Sequence, residues 1–190
     1  NKTTTHHIGY QLGPRINAGG RVGKSSHAVN LLLNPSPKET FQLALELDQF
    51  NKERQFLEKD VLDKILKKID NTSTDPVIVL SGKDWHEGVI GIVASRIKDK
   101  FNKPVVIISI DKELGKASAR SIVGFDIGSV IISAVQEKIL IKGGGHKMAG
   151  GFTIEIKNFE KFKNFIFKKF EKINKNHTNK KILYLDSVIA

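Results

Sequence analysis

The longest stretch without a helix breaker runs from Lys38 to Asp70, where the chain contains neither proline nor glycine. Ser36 and Pro37 precede it, and Glu39 stands three residues after Ser36, which is the pattern of a capping box at a helix start. Apolar residues recur through the stretch at helical spacings. A continuous helix of this length would extend about 50 Å. Because that is long for a core helix, we expect a spacer between two domains.

The pattern changes after residues 71–76, which are rich in turn-forming residues. Short apolar runs then alternate with helical segments, as is typical of an α/β domain with a parallel or mixed sheet. We predict strands at 77–80, 104–110, 116–121, 152–156 and 182–188, and helices at 88–100, 127–140 and 158–174. Before the long helix we expect a glycine-rich loop from Gly9 to Gly23 and a short helix from Ser26 to Leu33.

The composition favours a polyanionic partner. The chain has 31 Lys and Arg against 20 Asp and Glu, a formal net charge of +11, which indicates nucleic acid before an anionic membrane. The absence of cysteine excludes disulfides, thiolate zinc sites and thiol nucleophiles. No apolar run approaches the roughly 18 residues of a membrane span, and the N-terminus lacks the apolar core of a secretory signal. We therefore expect a soluble cytoplasmic protein, and the start without methionine suggests a fragment.

Residues 142–151 combine five glycines with His146 and two lysines. Consecutive glycines let backbone N–H groups converge on a ligand that a Cβ would exclude, and the basic side chains add positive charge. Gly143, Gly144, Gly145 and His146 are therefore candidates for binding a phosphate or a phosphodiester. A flexible turn with an incidental histidine explains the segment equally well.

Arginines occur in two further candidate sites. Arg15 and Arg21 flank Asn17 in a glycine-rich segment, and guanidinium groups bind phosphate bidentately. The alternative is a domain-junction loop whose arginines pair with carboxylates. Ser118 and Arg120 stand two residues apart in a predicted strand, so both side chains point to one face and can form an anion pocket. An ordinary half-exposed strand is the alternative.

Residues 81–96 follow a predicted strand and open a helix, the place where α/β folds bind ligands. Trp85 is assigned to packing, and Arg96 lies two turns into the helix, within reach of either ligand or solvent. Metal-binding motifs such as Asp-x-Asp and Asp-His-His are missing, and His6 and His7 without a carboxylate do not make a site. A complete hydrolytic active site is therefore not encoded in this chain.

The segments GPRINAGGR, WHEGVIGIVASR, SARS and GGGHKMAGG occur in this order, with the long helix after the first. Together they resemble the RecJ family of single-strand-specific 5′→3′ DNA exonucleases in the DHH phosphoesterase superfamily. The GGGHxxAGG segment is shared more widely, including with nanoRNases, whereas the first two are more specific to RecJ. Gly20 stands where alanine is common in the family, and both neighbouring arginines are kept.

The resemblance implies an α/β fold: a DHH-associated domain with a mixed sheet flanked by helices, preceded by a long connecting helix. Residues 1–33 would be the C-terminal tail of the DHH catalytic domain and 34–73 the connecting helix. Residues 74–175 would be the DHH-associated substrate-binding domain, and 176–190 the start of an OB-type domain.

The resemblance also implies roles for the candidate residues. Arg15, Asn17 and Arg21 would lie at the interdomain cleft, while Arg96, Ser118 and Arg120 would bind the terminal 5′-phosphate. The segment around Gly143–His146, which we expect to form a loop, would face the scissile phosphate, with His146 stabilising its charge while metal ions activate water. The divalent metal, Mn²⁺ or Mg²⁺, would have its ligands outside this chain.

The implied function is 5′→3′ hydrolysis of single-stranded DNA from a 5′ end, in DNA repair and recombination. We expect this chain alone to be inactive, monomeric and not membrane-bound, with single-strand-binding protein or a helicase as partner. Two alternatives stay open. One is a sister phosphodiesterase that acts on short oligonucleotides or cyclic dinucleotides, and the other is a non-catalytic nucleic-acid-binding module.

Overall fold

A computed structural model describes residues 2–69 and 74–174. Its helices are α1 (Gly13–Val22), α2 (Ser26–Leu33), α3 (Pro37–Lys68), α4 (Glu87–Phe101), α5 (Ile127–Gln136) and α6 (Phe159–Asn174). Its strands are β1 (Ile78–Lys83), β2 (Val105–Asp111), β3 (Leu114–Arg120), β4 (Lys142–His146) and β5 (Ala149–Glu155). A π-helical turn (His7–Leu12) precedes α1, and a 3₁₀ turn (Ile156–Asn158) precedes α6. The predicted strand at 182–188 and the region 176–190 lie outside the described residues.

The glycine-rich segment before the long helix is itself helical, so the prediction of a loop from Gly9 to Gly23 is wrong. Ala18 and Gly19 of α1 are buried, and a Cβ at Gly19 would lie 3.0 Å from Leu47 Cδ2 of α3. Glycine costs about 1 kcal/mol of helix propensity relative to alanine. Here it lets α1 approach α3 closely, and that packing outweighs the local preference. The predicted helix from Ser26 to Leu33 is confirmed.

Helix α3 confirms the predicted long helix, at about 48 Å for its 32 residues. Ser36 Oγ accepts a hydrogen bond from the Glu39 backbone N–H at 3.5 Å, as expected of the cap. The reciprocal half of the capping box does not form, because Glu39 Oε2 accepts from Asn34 Nδ2 instead. The helix is more than a spacer, since it buries Leu47, Val61 and Ile65.

The sheet has the strand order β1-β2-β3-β5-β4, in which β1 and β2 are parallel and the other pairs are antiparallel. This confirms the predicted mixed sheet. The segment 142–146 was expected to form a loop, and this expectation is wrong: it is the edge strand β4. Glycines disfavour strands on their own, but β4 pairs with β5 along its whole length.

The two faces of the sheet are covered differently. On one face α5 and α6 enclose a core that includes Val106, Ala119, Phe152 and Phe162. On the other face, α3 and α4 pack over β1 and β2. Trp85 is buried there, which confirms the packing role that the sequence predicted for it. On this second face α4 contacts β2 and β3. The neighbouring strands β5 and β4 lie beyond the area that α4 covers. Of the described helices, none combines the length and apolar character that a membrane span requires.

Candidate nucleic-acid interface

The side of the sheet that extends beyond α4 carries three cross-strand rows of residues, which we call the open face. Residues directly opposite each other on neighbouring strands point to the same side of a sheet, so the register defines each row. The first row is Arg120, Ala149 and His146, the second is Ser118, Gly151 and Gly144, and the third is Lys116, Thr153 and Lys142. An open cavity of about 650 Å³ lies on the second and third rows.

Arg120 is held in place by hydrogen bonds to neutral groups. Its Nε donates to Ser95 Oγ of α4 at 3.1 Å, and its Nη1 donates to Ser118 Oγ at 3.2 Å and to the Ala119 carbonyl at 2.8 Å. A Cβ at Gly91 would lie 2.9 Å from both Arg120 Nη2 and Ser118 Oγ. Glycine at this position of α4 therefore leaves the room that the guanidinium occupies between helix and sheet.

Arg21, in the last turn of α1, lies close enough to Arg120 for their charges to interact. Its Nη1 donates to the Gly88 carbonyl at the start of α4, at 3.2 Å. Burial lowers the pKa of Arg120, and the positive charge of Arg21 lowers this pKa further. Within residues 2–69 and 74–174, neither guanidinium has a carboxylate partner. Two uncompensated guanidinium groups attract an anion, and the planar groups suit phosphate oxygens.

His146 lies at the far end of the row that begins with Arg120. The two residues are separated by β5, which corresponds to about 10 Å at the usual strand spacing. The ring is exposed, and Nδ1 accepts a weak hydrogen bond from the Met148 N–H at 3.4 Å. Arg120 and His146 therefore mark two separate positions along the first row of the open face.

The glycines of β4 divide into two sets by strand alternation. Gly144 belongs to the open face, where an added Cβ would meet nothing within 4 Å. Gly143 and Gly145 point to the side that α5 covers, and a Cβ at Gly143 would lie 2.8 Å from Ile131 Cγ2. Of the three predicted phosphate-binding glycines, Gly144 alone presents its Cα to the open face.

The remaining predicted residues lie elsewhere on the helices. Arg15 pairs with Asp48 of α3 at 2.8 Å, and Asn17 is exposed on α1. Arg96 Nη2 lies 2.5 Å from Oε1 of the buried Glu58, an ion pair without hydrogen-bond alignment. The structure thus brings Arg21, Ser118 and Arg120 together, whereas Arg15 and Arg96 have carboxylate partners.

Four residues that help to build the open face were not among the candidate site residues of the sequence, although Lys142 was counted among the basic side chains of the segment 142–151. Lys116 continues the i, i+2 alternation of Ser118 and Arg120, so the same pattern could have found it. Gly91 and Ser95 are one helical turn apart on α4, a spacing that places both on one side of the helix. Lys142 could be placed only once β4 was known to be a strand, because a loop has no alternation.

Divalent metal ions do not fit the described residues. No group of three or more His, Asp or Glu side chains within these ranges could hold an ion. The carboxylate beside the open face, Glu87, is already paired with Lys116 at 2.9 Å. The described part of the chain therefore offers no set of metal ligands.

The family model of the DHHA1 domain matches residues 74–172. The single-stranded-DNA-specific exonuclease RecJ of Bacillus subtilis is 40% identical to the chain over 151 residues, which cover 78% of the chain and 19% of that protein. RecJ of Haemophilus influenzae is 38% identical over 167 residues, with 84% and 29% covered. The chain thus spans less than a third of the length of these relatives.

Among solved structures, RecJ of Thermus thermophilus in complex with Mn²⁺ matches with a TM-score of 0.79 at 34% identity, covering 87% of this chain and 24% of that one. A pGpG-specific phosphodiesterase from Vibrio matches at 12% identity with a TM-score of 0.53, covering 91% and 60%. At that identity the second likeness concerns the fold alone.

Proposed function

We propose that this chain, which belongs to the DHHA1 domain family, is the nucleic-acid-binding part of a single-strand-specific 5′→3′ exonuclease. The enzyme would hydrolyse phosphodiester bonds of DNA during repair and recombination. The observation that carries the proposal is the pair of guanidinium groups of Arg21 and Arg120, which stand beside Ser118 with no carboxylate partner in the described ranges. The RecJ relatives, named as single-stranded-DNA-specific exonucleases, supply the substrate class.

In this proposal Arg21, Ser118 and Arg120 bind the terminal 5′-phosphate. His146, about 10 Å away across β5, stabilises negative charge on the scissile phosphate, and Gly144 lets the strand lie close to the sheet. Arg15 and Asn17 line the cleft toward the catalytic domain. Arg96 joins the 5′-phosphate pocket only if its guanidinium leaves Glu58, so its predicted role stays a prediction.

The hydrolytic metal ions, Mn²⁺ or Mg²⁺, belong in this proposal to residues outside the described ranges, because these ranges offer no ligand set. The 190-residue chain by itself should then bind single-stranded DNA without cleaving it. Release of mononucleotides by the purified chain with Mn²⁺ would contradict this. Single-strand-binding protein or a helicase as partner, a monomeric state and a cytoplasmic location stay predictions.

The length of the open face favours a strand over a short substrate. The row of Lys116 lies about 14 Å from the row of Arg120, at 3.4 Å per strand residue, so the face is longer than one phosphate site. A phosphodiesterase for short oligonucleotides or cyclic dinucleotides would need no basic row at that distance. Comparing hydrolysis of long single-stranded DNA with that of dinucleotides by the intact enzyme separates these two functions, and no hydrolysis of either indicates a non-catalytic module.

The Arg120→Ala substitution in the intact enzyme tests the proposed pocket. A charge-assisted hydrogen bond contributes about 1.5–3 kcal/mol, so we expect the preference for a 5′-phosphorylated over a 5′-hydroxyl end to fall roughly tenfold or more. This preference is the ratio of the cleavage rates of a 5′-phosphorylated and a 5′-hydroxyl substrate, each measured at limiting substrate concentration. An unchanged ratio would contradict the pocket, and Lys161→Ala on α6, on the opposite side of the sheet, serves as the control.

A further inference from the structure

The third row of the open face consists of Lys116, Thr153 and Lys142. Lys142 belongs to the glycine-rich segment 142–151, whereas Lys116 and Thr153 lie outside the candidate sites of the sequence analysis. Thr153 pairs directly with both lysines, so it lies between them on the same face. Lys116 and Lys142 line the cavity of about 650 Å³ together with Ser118, Gly144 and Gly151. A Cβ at Gly144 would meet nothing within 4 Å. The glycines thus form the base of the cavity without side chains, and one lysine lies on either side of it.

Lys116 forms an exposed ion pair with Glu87. Its Nζ lies 2.9 Å from Glu87 Oε2, and the two side chains are 63% and 47% exposed. An exposed ion pair of this kind contributes little net stability. The hydrogen bond that Lys116 donates to Glu87 raises the pKa of Lys116, and the Coulomb attraction of Glu87 and of Asp111 raises it further. The ammonium is thus charged, and a phosphate can replace the carboxylate.

On the other side of Lys116, acidic side chains outnumber basic ones. A second cavity, of about 440 Å³, is lined there by Glu87, Asp111 and Glu113, with Lys112 and Lys116 as its basic residues. A polyanion is attracted to the lysine row and repelled by the carboxylates beyond it. The bound strand should therefore continue toward Lys142 on the edge strand and away from the β2–β3 hairpin.

We propose that Lys116 and Lys142 form a second phosphate site, which binds the backbone of the strand beyond the site of Arg21 and Arg120. Glu87 holds Lys116 while no nucleic acid is bound and marks the border of the binding face. The inference rests on the proposed function to the extent that a strand occupies the open face.

The test is the salt dependence of binding of a 5′-phosphorylated oligothymidylate to the intact protein, with EDTA present to prevent cleavage. Each phosphate contact contributes about 0.7 to the slope of log K against log salt concentration for single strands. Lys142→Gln and Lys116→Gln should each lower the slope by about 0.7 and weaken binding about five- to tenfold at roughly 50 mM salt. Glu87→Gln should tighten binding, because it frees Lys116 from its competitor.

The control is Lys161→Gln, an exposed lysine of α6 on the opposite side of the sheet. Slopes for Lys116→Gln and Lys142→Gln that equal the control, or weaker binding by Glu87→Gln, would overturn the second site. The preference for a 5′-phosphorylated end reports on the first site alone. If Arg120→Ala leaves this preference unchanged while Lys142→Gln lowers the slope, the proposed 5′-phosphate pocket fails and the second site stands.

Discussion

Four arginines with predicted roles fall into two pairs that the fold treats differently. Arg15 and Arg96 meet the carboxylates of Asp48 and Glu58, both on α3. In the described part of the chain, Arg21 and Arg120 donate only to carbonyl and hydroxyl oxygens. The comparison separates arginines whose charge holds helices together from arginines whose charge has no carboxylate partner in the described ranges, which the proposed function assigns to a ligand. Their local sequences differ from one another, and none of them indicates which arginines meet a carboxylate, so the distinction lies in their partners.

The largest expected effect concerns the paired arginines. Glu58 is 3% exposed and is held by Arg54 of its own helix as well as by Arg96. Glu58→Ala leaves two guanidinium groups without their carboxylate, and removing one partner of a buried pair costs about 3 kcal/mol or more. We expect the free energy of unfolding, measured with urea, to fall by about 3 kcal/mol.

The matched control is Glu53→Ala, an exposed carboxylate on the same helix, which should change the unfolding free energy by less than about 0.5 kcal/mol. Arg96→Ala should lower the unfolding free energy by less than Glu58→Ala does. In the intact enzyme it should leave the preference for a 5′-phosphorylated end unchanged. A loss of that preference without a loss of stability would move Arg96 to the ligand-binding pair.

A smaller effect distinguishes two neighbouring glycines. Gly143→Ala places a methyl group against Ile131 and Phe152, and such overpacking costs about 1–3 kcal/mol. Gly144→Ala meets open space, so it should leave stability unchanged while it raises the floor of the open face and weakens binding of single-stranded DNA. Thermal unfolding and a binding titration of both variants test this. Equal stability of the two variants would contradict the assignment of faces.

The smallest effect is the acid dependence of the pair formed by Arg15 and Asp48. Hydrogen bonds from Lys52 and from Arg15 hold the pKa of Asp48 below its ordinary value of 3.8. A carboxyl whose folded pKa is lowered contributes stability above its unfolded pKa, and this is lost as the pH falls through the folded pKa. Asp48→Asn should therefore be slightly less stable than the wild type near neutral pH, and the difference should disappear as the pH falls through the lowered pKa of Asp48.

Local signals predicted the long helix, the helix from Ser26 to Leu33 and the strands around Ser118, because capping residues and apolar spacing act within a few residues. They failed for α1 and β4, where glycine lowers the local preference and contacts with distant elements decide. Alternation placed Ser118 and Arg120 on one face. The approach of Arg21 to Arg120 depends on how α1 packs on α4, more than sixty residues away in the chain, and no local pattern contains it.

The central claim is that Arg21 and Arg120 are the arginines available to a ligand. It is tested most directly by following the arginine Nε–Hε resonances of this chain by NMR during titration with a 5′-phosphorylated dinucleotide. We predict that the resonances of Arg21 and Arg120 shift with the ligand, while those of Arg15 and Arg96 stay in place. Shifts of Arg15 and Arg96 with Arg21 and Arg120 unchanged would contradict the account.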